Sequence, residues 1–228
     1  NLANKIKGVL IQPFLTIFFT QYSKLLLKSK EVVLEFKKNM GSIINANIII
    51  LIGSILLGDF ILDFIWGSKK FNPENIKLAY IFLLYNIIAV LISSIGGIYR
   101  KMVVADGKAK KLYLFWVIAQ LLSALFTFIL ISNFKTNGLF FIIPLNTFLI
   151  GIMSYFVYKK NNNTLIYRFL NKNNLIGLFL IALSVLLKYV SFNNTYDRQS
   201  IFFFLVLSSL ILCLYPTYST YKLLRNEI

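Results

Sequence analysis

Asp59 and Asp63 are the residues best placed to do chemistry in this chain. They stand four apart within an otherwise apolar stretch, so a helix there carries both carboxylates on one face. Such a face can bind a cation or a proton, or line the outer mouth of a cavity. Beside Trp66, the same pair can also rest at a membrane–water interface, where hydration costs little. Asp63 reads as interfacial, and Asp59, set deeper, stays open between the two roles. Other reactive groups are scarce. The 228 residues contain no His, one Cys and eight Asp plus Glu. Ser–His and Cys–His nucleophiles and the usual zinc constellations are therefore excluded. Cys213, in the middle of an apolar run, reads as a small core or lipid-facing residue. No Gly-rich phosphate loop is present, so no nucleotide cofactor is expected and no metal or catalytic residue is assigned. A carboxylate base keeps a membrane acyl- or glycosyltransferase formally open, but the expectation is a protein that is not an enzyme.

The elements that must position these residues are membrane helices. The chain is 58% hydrophobic and 16% aromatic, with mean hydropathy +0.74, far from the values of a soluble domain. About 20 apolar residues cross a bilayer as a helix. Stretches 78–99, 112–133, 136–158 and 200–221 do so without a charge. Stretch 43–66 holds the two aspartates, 8–27 is interrupted by Gln12, Pro13, Gln21 and Lys24, and 173–192 carries Lys188. The fold expected is an all-α, polytopic membrane bundle of about seven transmembrane helices. Connections are short on one side, leaving no room for a catalytic ectodomain. On the other side, 28–41 interleaves Val32, Val33, Phe36 and Met40 with charges. It reads either as a helix in the headgroup plane or as a solvated link.

Basic residues set the orientation. Connections 24–38, 100–111 and 159–172 and the tail 222–225 hold sixteen of the 24 Lys and Arg, and the opposite side holds the other eight. Lys and Arg are retained on the cytoplasmic face, which predicts a cytoplasmic C-terminus in a bacterial-type inner membrane and, with seven spans, an external Asn1. A chain beginning outside without a leader is then expected to be the C-terminal portion of a longer protein, with an odd number of helices upstream. The net charge of +16 sits mostly at helix ends. It therefore indicates anionic lipid partners rather than nucleic acid.

Polar residues inside the spans supply the remaining candidates. Asn45, Asn47, Asn86, Ser93, Ser94, Gln120, Ser123 and Asn146 are expected to face other helices or a wet cavity, because lipid offers no hydrogen-bond partner. Gln12-Pro13 interrupts the first span, as broken helices do at transporter sites. Gly96-Gly97 and Gly138 permit close helix approach or bending, with packing the expected use. Lys5 and Lys7, at the outer end of a helix, can meet an anionic headgroup or diphosphate, or snorkel to the surface.

Three stretches together resemble the C-terminal half of a polysaccharide-type flippase of the multidrug/oligosaccharidyl-lipid/polysaccharide exporter superfamily. The first runs Ala3-Asn-Lys-Ile-Lys-Gly-Val-Leu-Ile-Gln-Pro-Phe to Gln21-Tyr-Ser-Lys; the second is Ile65-Trp-Gly-Ser-Lys-Lys-Phe-Asn-Pro-Glu-Asn. The third is the Gly-Lys turn Ala105-Asp-Gly-Lys-Ala-Lys-Lys, with Asn137-Gly138 opening the next helix pair. The resemblance covers roughly 1–158, which it implies is a transport lobe of five transmembrane helices; 159–228 would be a basic cytoplasmic link and two terminal helices. It further implies that a polyprenyl-diphosphate-linked oligosaccharide is flipped from the inner to the outer leaflet, for O-antigen or capsule assembly. A polysaccharide polymerase and chain-length machinery would be partners. Lys5, Lys7, Gln12, Asn45, Asn86 and Gln120 are then the substrate-binding candidates, and Asp59 and Asp63 the ion-coupling ones. The competing readings are a drug/cation antiporter of the same superfamily, which the low acid count disfavours, and a non-transporting scaffold of envelope assembly.

Overall fold

A computed structural model describes residues 12–25, 29–66, 72–159, 172–193 and 197–225. Among them are seven α-helices and a short 3-10 turn. They are α1 (Gln12–Leu25), α2 (Ser29–Trp66), α3 (Pro73–Ala105), α4 (Ala109–Phe134), the 3-10 turn Lys135–Gly138, α5 (Leu139–Lys159), α6 (Lys172–Asn193) and α7 (Arg198–Arg225). Six of them, α2 to α7, are long and apolar enough to cross a membrane. The span expected at 8–27 is represented by the 14 residues of α1, and its first part lies outside the described residues.

The helix boundaries follow from local chemistry. Pro73 opens α3 in the first helical position, where its missing N–H is no loss, and Asn72 before it accepts the amides of Glu74, Asn75 and Ile76. The helix ends in a Schellman arrangement: Lys108 N–H bonds to Val103 O and Gly107 N–H to Val104 O, both at 3.0 Å. Gly107 takes φ +73°, a value that costs a side-chain-bearing residue but not glycine. The Gly-Lys turn noted in the sequence is therefore a helix stop. At the next reversal Lys135 adopts φ 50°, a conformation rare for non-glycine residues.

One expectation is corrected. Residues 29–41 are neither a solvated link nor an in-plane helix; they continue without a break into the following span as the 38-residue α2. Nothing between Ser29 and Gly41 breaks a helix, and two of its apolar residues are packed against protein. Phe36 and Met40 are 1% and 0% exposed.

The described residues fall into two compact units that are discontinuous in sequence. One draws on Asn1–Ile43 and Ile88–Arg168, the other on Ile44–Ile87 and Phe169–Ile228. In the first, Tyr99 is the hub of an aromatic cluster, with ring centroids 5.9 Å from Phe36, 5.3 Å from Tyr155 and 5.6 Å from Tyr158. Here α3 and α5 meet backbone to backbone, and a Cβ on Gly96 would lie 2.7 Å from the Gly151 Cα. The expected packing use of Gly96 is thus observed. In the second unit Ile48, Ile52 and Leu56 of α2 pack on Leu205 and Leu212 of α7, with Leu180, Ile181 and Leu187 of α6 closing the layer.

Candidate functional site: a neutral charge ladder within the second unit

The second unit holds a cluster that composition alone would not lead one to expect inside apolar helices. Lys188, 6% exposed near the end of α6, donates to Asp59 Oδ1 at 2.6 Å and to the Leu56 carbonyl at 2.8 Å. Its ammonium also lies 5.1 Å from the Phe60 ring centroid and 5.8 Å from that of Tyr80. A buried cation meets here a carboxylate, a carbonyl and two π-faces, which together replace much of its lost hydration.

One helical turn further along α2, Asp63 pairs with Arg198 at the start of α7. This second pair is more open, with side-chain exposures of 30% for Asp63 and 68% for Arg198, against 21% for Asp59 and 7% for Lys188. Phe60 separates the two rungs, and the Arg198 guanidinium stands 5.7 Å from its centroid. The result is a ladder of two acids and two bases graded from buried to exposed.

Backbone features hold the ladder in place. The i, i+4 spacing puts Asp59 and Asp63 on one face of α2, as the sequence implied. Gly58 lets α3 approach: a Cβ there would meet Tyr80 Cε2 at 3.0 Å. Tyr80 is anchored by its hydroxyl, which donates to the Ile55 carbonyl at 2.7 Å, and its ring is thereby set beside Lys188. The α7 start is capped by Asp197, whose carboxylate accepts the Ser200 hydroxyl and the amides of Gln199 and Ser200. These bonds, the Ser200 hydroxyl foremost, hold the Asp197 carboxyl below the usual aspartate range.

The other candidates are distributed. Asn45 and Asn86 belong to the same unit and are buried, at 3% and 5% exposure; Asn86 donates its amide to Phe82 O of its own helix at 2.8 Å. Gln12 and Gln120 belong to the first unit and are exposed. Gln120 departs from the expectation that polar residues in spans turn to other helices. The physical reason is that α4 packs mainly along α5, leaving Ala119 and Ser123 as its buried positions. Lys5 and Lys7 lie outside the described residues. No group of three or more His, Cys, Asp or Glu stands together among the described residues.

Sequence reasoning found the two acids but not Lys188, Arg198, Phe60 or Tyr80. A signal existed: Lys188 breaks an apolar span, and an intramembrane charge requires a partner. Its counter-ion is 129 residues away in the chain, and nothing local names it.

Fold and cluster together define a multi-pass, all-α membrane protein with paired charges inside its apolar helices. No family model, curated protein or solved structure matches the chain.

Proposed function

We propose that this chain is part of a transporter that flips a polyprenyl-diphosphate-linked oligosaccharide between leaflets in cell-surface polysaccharide assembly. The observation that carries a transport role is the Asp59–Lys188 pair. Ionisable residues within membrane helices are costly and concentrate where ions or substrates pass. A proton or cation taken up by Asp59 would release Lys188 from its carboxylate partner. The ladder is thus a place where an ion gradient can bias a conformational equilibrium. The cargo is inferred from the three stretches that resemble the flippase C-terminal half, and the Lys and Arg asymmetry supports a cytoplasmic C-terminus. In this reading cationic side chains meet the diphosphate, polar residues the sugar, and a groove between helices the lipid tail.

A cation antiporter is the second reading, favoured by Asp59 itself. Depleting the complete protein in cells and probing lipid-linked glycan with an impermeant lectin separates the two. Loss of outer-leaflet glycan with precursor retained inside is the expected result. Unchanged glycan together with lost cation efflux would replace flipping by antiport, and unchanged glycan with unchanged efflux would leave a scaffold.

A further inference from the structure

The first unit contains a pocket of about 210 Å³ at the lysine-rich end of its helices, lined by Arg100 and Val104 of α3, Leu112 and Trp116 of α4, and Ile150 and Met153 of α5, among others. We propose that it holds one anionic phospholipid, the phosphate on Arg100 and an acyl chain along the apolar wall.

Four observations point there. The first is an underused donor. Arg100 presents five N–H groups, and its hydrogen bond in the structure is a long one, 3.4 Å to the Ser93 carbonyl. A half-buried guanidinium beside apolar walls has the planar fork that matches a phosphate. The second is charge. Positions 100–111 carry Arg100, Lys101, Lys108, Lys110 and Lys111 against the single acid Asp106. Lys101 is engaged elsewhere, donating to Leu15 O at 2.9 Å, and Lys110 and Lys111 are exposed at the rim. Their field attracts any anionic lipid, and Arg100 is the base within the pocket itself.

Third, the pocket opens sideways. Val104, Tyr113 and Trp116 are 45%, 66% and 45% exposed, on helices whose outward faces are apolar. The Tyr and Trp sit within two turns of the α4 start, where amphipathic rings mark the headgroup level. Fourth, the size is selective. The volume is below the roughly 300–1,000 Å³ of sites that enclose a drug-sized ligand. It suits a headgroup phosphate and the first part of a chain, with the remainder in the bilayer, and is too small to enclose an oligosaccharide. The site is therefore separate from the cargo and independent of the flipping proposal.

The test uses Trp116 as the reporter. The full chain carrying Trp66→Phe, in nanodiscs of a neutral phosphatidylcholine, is titrated with phosphatidylglycerol brominated near the headgroup end of its chains, or with equally brominated phosphatidylcholine. The expected result is quenching at a mole fraction about tenfold lower for the anionic lipid, the scale of one charge-assisted contact. Arg100→Gln should abolish that preference and Arg100→Lys should retain part of it. Lys110→Gln with Lys111→Gln should leave most of it. Equal quenching by both lipids would overturn the proposal. So would a preference that survives Arg100→Gln, or one lost with the two rim lysines alone, because both would mean a diffuse basic surface. Inorganic phosphate at millimolar concentration should not relieve the quenching; relief would assign the site to a free anion instead. If Arg100→Gln fails to fold, the Arg100→Lys variant still decides, since a full preference there would remove the need for the guanidinium fork.

Discussion

The two units solve the same problem, burying polar groups inside apolar helices, in different ways. In the second, bases meet acids: Lys188 with Asp59 and Arg198 with Asp63. In the first, two bases meet carbonyls: Arg100 with Ser93 O and Lys101 with Leu15 O. The first unit gains its cohesion elsewhere, from the Tyr99 aromatic cluster and the Gly96–Gly151 contact. The difference teaches where each can be perturbed. A charge pair is strong only while both partners are present, whereas a backbone contact has no partner to remove and fails only by steric intrusion.

The comparison breaks most visibly at the buried rung. Asp59→Ala leaves Lys188 without its carboxylate and should cost about 3–5 kcal/mol in a detergent-unfolding measurement. The double variant Asp59→Leu with Lys188→Met should recover most of that loss, as apolar replacement of a buried pair often does. Equal losses in the single and double variants would mean that the pair is not the source of the effect. Transport measured in the same double variant separates roles. A folded but inactive protein would place the pair in coupling, and a folded, active one would leave it structural.

Next in size is the steric test in the first unit. Gly96→Leu puts a side chain where the Gly151 backbone lies and should cost at least about 1–3 kcal/mol through overpacking. Gly177→Ala is its control in the second unit. There the added Cβ meets the flexible end of Ile48 rather than backbone, so a rotamer change relieves it and the loss should be smaller. Parity between the two variants would erase the distinction between backbone and side-chain contact.

The outer rung should matter far less than the inner one. Arg198 is largely exposed, and Arg198→Ala is expected to cost about 0–1 kcal/mol, a cost that shrinks in high salt. A loss as large as that of Asp59→Ala would mean that the ladder acts as one unit.

The smallest expected effect is the pH response of the α7 start. Asp197 has its carboxyl held below the ordinary range, so its contribution is fully present above the unfolded aspartate value, about 3.9. It fades as pH falls through the lower folded value. Hydrogen exchange in the first turn of α7 should therefore quicken only in that acid window. Asp197→Asn should flatten the response while preserving the cap, since both side chains serve as N-caps.

Hydrophobic patterning made most of the helices legible, because apolarity adds up along a window and needs no knowledge of neighbours. The same logic marked Asp59 and Asp63 as a shared face and Gly96 as a packing position. It failed where the meaning of a residue depends on what stands opposite. The charged stretch 29–41 looked like a surface segment because its lysines were visible, and the 0% exposed Met40 was not. Gln120 looked like an inward-facing residue because apolar surroundings in sequence do not reveal which side of α4 has a neighbour.

By itself, then, the sequence determined that this is a multi-pass helical membrane protein and that two carboxylates share one helix face. Those outcomes rest on properties local to a turn or a window: transfer of apolar side chains and the 3.6-residue period. Only the tertiary structure decided that each carboxylate would meet a base, 129 residues away for Asp59 and 135 for Asp63. It also decided that an arginine would line a pocket shared by α3, α4 and α5. Coulombic pairing and cavity formation depend on distances in space, and a linear chain does not carry those distances until its helices have packed.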